Sequence, residues 1–162
     1  MAERELLAQA IVDKHMWLSM GIGFLPVPLL DIAGVTAVQL RMLQQLALHY
    51  DVPFSRHLGK ELIGALLGSA VPAALTVTVG SAVKAIPVVG TVMGGLSMPL
   101  FAGAATYAIG KVFIQHFETG GTMLDFDPAK VREYFRQEFA KGQGLASESH
   151  GAAAPEHESP VG

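Results

Sequence analysis

Residues 62–83 read LIGALLGSAVPAALTVTVGSAV, and residues 85–110 read AIPVVGTVMGGLSMPLFAGAATYAIG. Between Glu61 and Lys111 the only charged side chain is Lys84. A helix of a water-soluble domain needs a polar face, and these two runs contain almost nothing from which to build one. The runs have 22 and 26 residues, whereas about 20 apolar residues span a bilayer. We therefore predict that they form an apolar helical hairpin embedded in a membrane.

The composition of the whole chain supports a membrane class and excludes several others. Apolar residues make up 51% and charged residues only 15%, and the mean hydropathy is +0.41. The net charge of −3 argues against a nucleic-acid-binding protein, which needs a basic stripe to release counterions. The chain has no cysteine, which excludes disulfides, thiolate chemistry and cysteine-ligated zinc.

A second hairpin is predicted at the start of the chain. Residues 2–22 form the first helix, and a turn at 24–28 contains Pro26 and Pro28, which break helices. Asp31 is predicted to cap the second helix, which runs from about residue 32 to residue 50. The uncharged stretch in the first hairpin is too short to span a bilayer, so we predict a hairpin with an apolar, membrane-embedded tip.

The last part of the chain changes character. Asp127 and Pro128 are typical of a helix start, and residues 129–141 have the spacing of an amphipathic helix that lies on a membrane or docks on the bundle. From residue 142 onwards alanine, serine, proline, glutamate and histidine dominate. The predicted organisation is therefore all-α, with a helical-hairpin membrane domain, an amphipathic helix and a disordered tail at residues 1–126, 127–141 and 142–162.

Several segments resemble a known family. They read LPVPLLDIA at 25–33, QLRML at 39–43, LALHYDV at 46–52, AATYAIGKVF at 104–113 and HFE at 116–118. In these segments the chain is similar to the uncharacterised bacterial YcjF-like family of membrane domains, over roughly residues 8 to 126. The resemblance implies membrane association and a GTPase partner, and it implies no catalytic residues. The sequence contains no phosphate-binding loop of the Gly-x-x-x-x-Gly-Lys-Ser/Thr type. We therefore do not predict a GTPase domain in this chain.

The distribution of basic residues predicts an orientation. They lie near the termini and at the junction between the hairpins, while Lys84 alone marks the far turn of the second hairpin. The positive-inside rule then places both termini in the cytoplasm. Together with the resemblance, this predicts a bacterial inner or intracellular membrane.

Asp31 and Arg41 are the first candidate interaction residues. Asp31 is either a helix cap or an intramembrane carboxylate that pairs with a cation or a partner. Arg41 lies ten positions later, about 15 Å along a helix, so it cannot pair with Asp31 within that helix. Arg41 therefore either meets another helix or extends to solvent.

Lys84 and four glycines are the remaining candidates. Lys84 either extends to lipid headgroups at the turn between the spans or faces a pore. Gly64 and Gly68, like Gly90 and Gly94, are four residues apart, a spacing that lets membrane helices approach closely and predicts a homo-oligomer.

Catalytic, metal and cofactor sites are not predicted. No two histidines have the i, i+4 spacing of a helical metal site, so a metal site would have to be assembled across helices, for example from His15, His49 and Asp31. No nucleophile–base pair has a convincing context. We therefore predict that the protein is not an enzyme.

Three functional interpretations follow. The first is a membrane-embedded structural or adaptor protein that organises a membrane or recruits a cytosolic partner of the GTPase type. The second is an oligomeric pore or transport element lined by Lys84 or Asp31. The third is a soluble helical protein that buries the apolar half in a core or around a lipid.

Overall fold

The computed structural model describes residues 2–23, 28–70 and 98–153, and in these ranges the chain is all-helical. This confirms the predicted all-α class. The five helices are α1 (Ala2–Gly23), α2 (Pro28–His49), α3 (Arg56–Ala70), α4 (Met98–Glu118) and α5 (Arg132–Ala153).

Helix α4 lies in the centre of the bundle and packs against the other helices, above all α1 and α5. Its small side chains allow close approach: a Cβ atom on Gly110 would overlap Val12 of α1, and one on Gly103 would lie 2.6 Å from Met20. On α5, a Cβ on Gly142 would lie 2.9 Å from the backbone of α4 at Ala104. The residues of α4 that face α1 and α5 are therefore buried against protein.

The helices on either side of α4 run antiparallel to it. Gln9 near the start of α1 accepts a 2.9 Å hydrogen bond from Lys111 in the second half of α4, whereas Ser19 near the end of α1 bonds Thr106 in the first half. Helices α1 and α2 are also antiparallel, because His49 at the end of α2 donates a 2.8 Å hydrogen bond to the carbonyl of Arg4. The predicted pairing of the first two helices is therefore present.

Two helices end in the same backbone motif. Asp51 after α2 has φ 58° and Gly120 after α4 has φ 85°, and in each case a hydrogen bond closes the turn: Val52 N to Ala47 O at 2.7 Å, and Gly121 N to His116 O at 2.9 Å. Glycine takes this left-handed conformation without strain, and aspartate tolerates it better than most residues. The first of these stops agrees with the end predicted for the second helix near residue 50.

Helices α2 and α5 differ from their predicted bounds. Helix α2 begins at Pro28, because proline fits the first helical position. Asp31 therefore lies inside the first turn and does not precede the helix as its cap. Helix α5 continues to Ala153, so the predicted disordered tail from residue 142 is wrong up to that residue: Ala146 is fully buried in the bundle and holds this part of the helix.

The predicted membrane spans are only partly covered. Residues 71–97 lie outside the described residues, and they include 13 of the 22 residues of the first span and 13 of the 26 residues of the second. None of the helices in the described ranges combines the length and apolarity that a membrane crossing requires. Insertion of hairpins into the bilayer therefore stays a prediction.

Candidate functional site

The bundle has one end that is nearly free of charge. It consists of residues 16–23 of α1, 28–40 of α2 and 98–110 of α4, which the antiparallel packing brings to the same end, and we call it the uncharged end. Asp31 is the only charged residue in these three stretches. Helix α5 passes alongside and contributes three ionisable residues, the paired Glu138 and Lys141 and, further along, Glu148. The other end, the charged end, carries Arg4, Asp51 and Glu118 among others.

A groove of about 610 Å³ lies along α2 between the two ends, and we call it the α2 groove. Its upper part is apolar and reaches the uncharged end at Ile22 and Gly34, where Ala37 and Val38 continue it. Its lower part is polar or aromatic and is lined by Arg41, Gln44, Gln45, Phe54 and Arg56. The lining residues of α2 recur every three or four positions and therefore share one helix face.

Among the residues that the structure describes, the two arginines of the groove have no carboxylate partner. Neither Arg41 nor Arg56 forms an ion pair within the described ranges, whereas Arg4 lies 3.8 Å from Asp51 and Lys141 lies 2.7 Å from Glu138. Both groove arginines are exposed. The α2 groove thus presents two uncompensated guanidinium groups beside an apolar channel.

A chain of buried polar groups ties three helices together next to this groove. Gln39 Nε2 of α2 donates to Thr106 Oγ1 of α4 at 3.2 Å, and that hydroxyl donates to Ser19 Oγ of α1 at 2.7 Å. All three residues are buried, and Gln39 Oε1 accepts no hydrogen bond from the part of the chain that the structure describes. Sequence reasoning missed this chain, although a glutamine within a mostly apolar helix face was a signal that could have revealed it.

The two histidines considered for a metal site are far apart. His15 is buried in the middle of α1, where its Nδ1 donates to the carbonyl of Ile11 at 2.7 Å. Burial lowers the pKa of His15, and the charges of Lys14 and Arg41 lower it further. His49 instead bonds the backbone of Arg4 at the charged end. Arg4, which His49 contacts, lies eleven positions before His15 on α1, and this corresponds to about 16 Å along the helix.

The other predicted site residues are not brought together. Arg41 enters the α2 groove, but Asp31 is ten positions away on the same helix, and its side chain lies outside the described part. A Cβ atom on Gly64 or Gly68 would meet nothing within 4 Å, so no helix in the described ranges packs on this face. Lys84, Gly90 and Gly94 lie outside the described residues.

Comparison with known proteins gives a family and a named relative. A family model described as "Domain of unknown function (DUF697)" matches residues 1–143. The chain is also similar to the protein named Magnetosome membrane protein 22 of Magnetospirillum gryphiswaldense, with 42% identity over 146 residues, which is 89% of this chain and 74% of the relative. No solved structure matches the chain.

Proposed function

This chain belongs to the DUF697 family, and from that premise we propose that it acts as a structural or adaptor protein at a bacterial membrane. The observation that carries the proposal is the uncharged end of the bundle. Helix α4 begins at that end, directly after the uncharged run of residues 85–97. A relative named as a membrane protein supports the same assignment.

The separation of charge favours one orientation. A charged residue in the middle of a membrane helix costs about 2.5–3.5 kcal/mol, so a surface with almost none is the one that tolerates lipid. The charged end, with Arg4, Asp51 and Glu118, stays in water. The start of α1 is then on the aqueous side, as the predicted cytoplasmic N terminus requires.

Fractionation of cells that produce the full chain tests the membrane assignment. We expect the protein to remain in the membrane pellet through an alkaline carbonate wash and to leave only with mild detergent. Recovery in the soluble fraction, or release by carbonate, would overturn the proposal.

A pair of matched variants tests whether the uncharged run anchors the protein. The double variant Leu75→Asp/Val77→Asp adds two carboxylates to residues 62–83, and we expect carbonate to strip it. The control Leu48→Asp/Leu124→Asp adds the same charge at side chains that are 77% and 90% exposed, and we expect it to stay in the pellet. Equal retention of both variants contradicts the anchoring role.

The adaptor part of the proposal concerns the charged end, which faces the cytosol. The resemblance to the YcjF-like family suggests a GTPase as the partner. A photo-crosslinking residue placed at Leu124, in the exposed loop between α4 and α5, is expected to capture a GTP-binding protein in living cells. Capture that is identical from Leu124 and from Trp17, which is remote from this end, would show that the charged end is not the recruiting surface.

A further inference from the structure

We propose that the α2 groove binds an anionic phospholipid, with the headgroup phosphate at Arg41 and Arg56 and an acyl chain along the apolar part. The inference rests on the proposed membrane association and names the lipid class that the protein contacts. The charge, the shape and the position of the groove each favour this occupant.

The charge of the groove selects an anion. A guanidinium group offers a planar fork of N–H donors that matches phosphate oxygens, and it keeps its charge at any physiological pH. Arg41 and Arg56 contribute two such groups from different helices, and neither is engaged by a carboxylate in the described ranges. The amides of Gln44 and Gln45 add neutral donors beside them.

The shape of the groove favours a phospholipid over other anionic ligands. From Arg41 the groove follows one face of α2 toward the uncharged end, past Val38 and Ala37, and ends at Gly34 and Ile22. Gly34 lets the side chain of Ile22 pack directly on α2, because a Cβ atom at Gly34 would lie 2.8 Å from Ile22, and these two residues form the apolar end of the groove. A free phosphate or an acidic peptide uses only the arginines, whereas a phospholipid also fills the apolar part. The volume of about 610 Å³ lies within the roughly 300–1,000 Å³ of ligand sites.

The position of the arginines fits the headgroup layer. Seven residues separate Gly34 from Arg41, which is about 10 Å along the helix. Arg41 directly follows residue 40, the last α2 residue of the uncharged end. If that end enters the hydrocarbon, the guanidinium group of Arg41 lies at its boundary, at the depth of the phosphates, and Gly34 lies about 10 Å deeper. Interfacial helices bury about 5–10 Å into the same boundary.

The test measures lipid binding to the full-length protein in mild detergent. Native mass spectrometry with dihexanoyl phosphatidylglycerol should show one tightly bound lipid, and dihexanoyl phosphatidylcholine should bind at least about tenfold more weakly, because two arginines each contribute about fivefold toward an anionic lipid. Equal binding of the two lipids overturns the proposal.

Charge variants assign the binding to the groove. Arg41→Gln/Arg56→Gln should weaken phosphatidylglycerol binding about 10- to 30-fold. The control Lys130→Gln/Arg132→Gln removes the same charge from two exposed side chains at the start of α5 and should bind like wild type. All four side chains are exposed, and circular dichroism should show that both variants fold. A groove variant that binds as tightly as wild type overturns the proposal.

A third variant separates a lipid from a simple anion. Ala37→Trp fills the apolar part without changing charge and should weaken phosphatidylglycerol binding severalfold. Inorganic phosphate and a hexaglutamate peptide, used as competitors at the same concentration, should not displace the lipid. Displacement by either one shows that the groove is an anion or peptide site and overturns the lipid assignment.

Failure of this inference is distinguishable from failure of the proposed function. Binding in detergent does not depend on how the protein is anchored, and Arg41→Gln/Arg56→Gln should still resist carbonate. Wild-type protein that resists carbonate but binds both lipids equally keeps its membrane role and loses the lipid site. Wild-type protein that carbonate strips loses its membrane role, whatever it binds.

Discussion

Tyr50 donates a 2.6 Å hydrogen bond to Glu118 Oε1 and so joins the end of α2 to the end of α4 at the charged end. Arg4 of α1 lies over the same ring, 4.7 Å from its centroid. Burial raises the pKa of Tyr50 well above its ordinary value, and the bond to Glu118 raises it further. One aromatic side chain thus connects three helices.

Replacing Tyr50 by phenylalanine removes the hydroxyl and keeps the ring under Arg4. We expect the free energy of unfolding to fall by about 1–2 kcal/mol, because a hydrogen bond to a carboxylate is lost. Urea unfolding followed by circular dichroism measures the change. Tyr134→Phe is the control, since the hydroxyl of Tyr134 makes no hydrogen bond with the residues described here. An equal loss in both variants would show that the bond to Glu118 contributes nothing.

The buried polar chain predicts unequal costs for two similar substitutions. Thr106→Val keeps the shape of the side chain but leaves Ser19 and Gln39 without their partner, and we expect a loss of about 2 kcal/mol or more. Gln39→Met removes an amide whose Oε1 is already unpaired, and we expect a change within about 1 kcal/mol. Thermal unfolding of the two variants checks this order. A larger loss for Gln39→Met contradicts it.

We predict that a glycine-to-alanine substitution has opposite effects on stability at two positions. Gly142→Ala places a carbon 2.9 Å from the backbone of Ala104, so α4 and α5 have to separate at a cost of about 1–3 kcal/mol. Gly64→Ala meets nothing within 4 Å and should stabilise α3 by about 0.5–1 kcal/mol, because alanine is the better helix former. Denaturant midpoints of both variants provide the measurement. Destabilisation by Gly64→Ala would instead support the predicted homo-oligomer, with a second helix packed on this face.

Because His15 is buried, we predict that the free energy of unfolding falls in acid. Its pKa in the folded protein is lowered from the ordinary value of 6.5, chiefly by burial. The unfolded chain therefore takes up the proton first, so the contribution of neutral His15 to stability is complete above about 6.5 and is lost as the pH falls through the lower folded value.

Comparing His15→Gln with wild type at about pH 7.5 and about pH 5.5 tests this dependence. We expect wild type to lose more stability on acidification than His15→Gln does. His57→Gln, at a histidine whose side chain is 87% exposed, should follow wild type. The same acid loss in His15→Gln and wild type would exclude His15 as the group responsible.

The helix ends were predictable from sequence because they depend on local chemistry. Helix α2 ends near residue 50, as predicted, where Asp51 takes a φ of 58° and the carbonyl of Ala47 accepts a 2.7 Å hydrogen bond from Val52 N. Each of these signals involves residues within one helical turn. The start of α2 was misplaced by local reasoning too, because Asp31 was preferred as a cap over Pro28 as a first helical residue.

The environment of α4 was not predictable in the same way. A helix rich in alanine and other apolar residues has the same hydropathy whether lipid or protein surrounds it. The contacts of Gly110 with Val12 and of Gly103 with Met20 show that protein surrounds this part of α4. In each contact the two residues are far apart in the sequence, so local patterns do not reveal it. The α2 groove was hidden for the same reason: Arg41 was singled out, but its neighbour Arg56 belongs to another helix.

The central place of α4 has a consequence for the order in which the protein is made. Lys111 bonds Gln9, a partner 102 positions earlier in the chain. At about 5–20 residues per second, the ribosome adds the intervening chain in roughly 5–20 s, and closing so long a loop carries an entropic cost of about 4 kcal/mol beyond a constant term. During that interval α2 is the one described helix already made that packs on α1, and the face of α1 with Val12 and Met16 lacks its later partner α4. The core around α1 is therefore completed late in synthesis, when α4 emerges, and until then part of its apolar surface has no protein cover from α4.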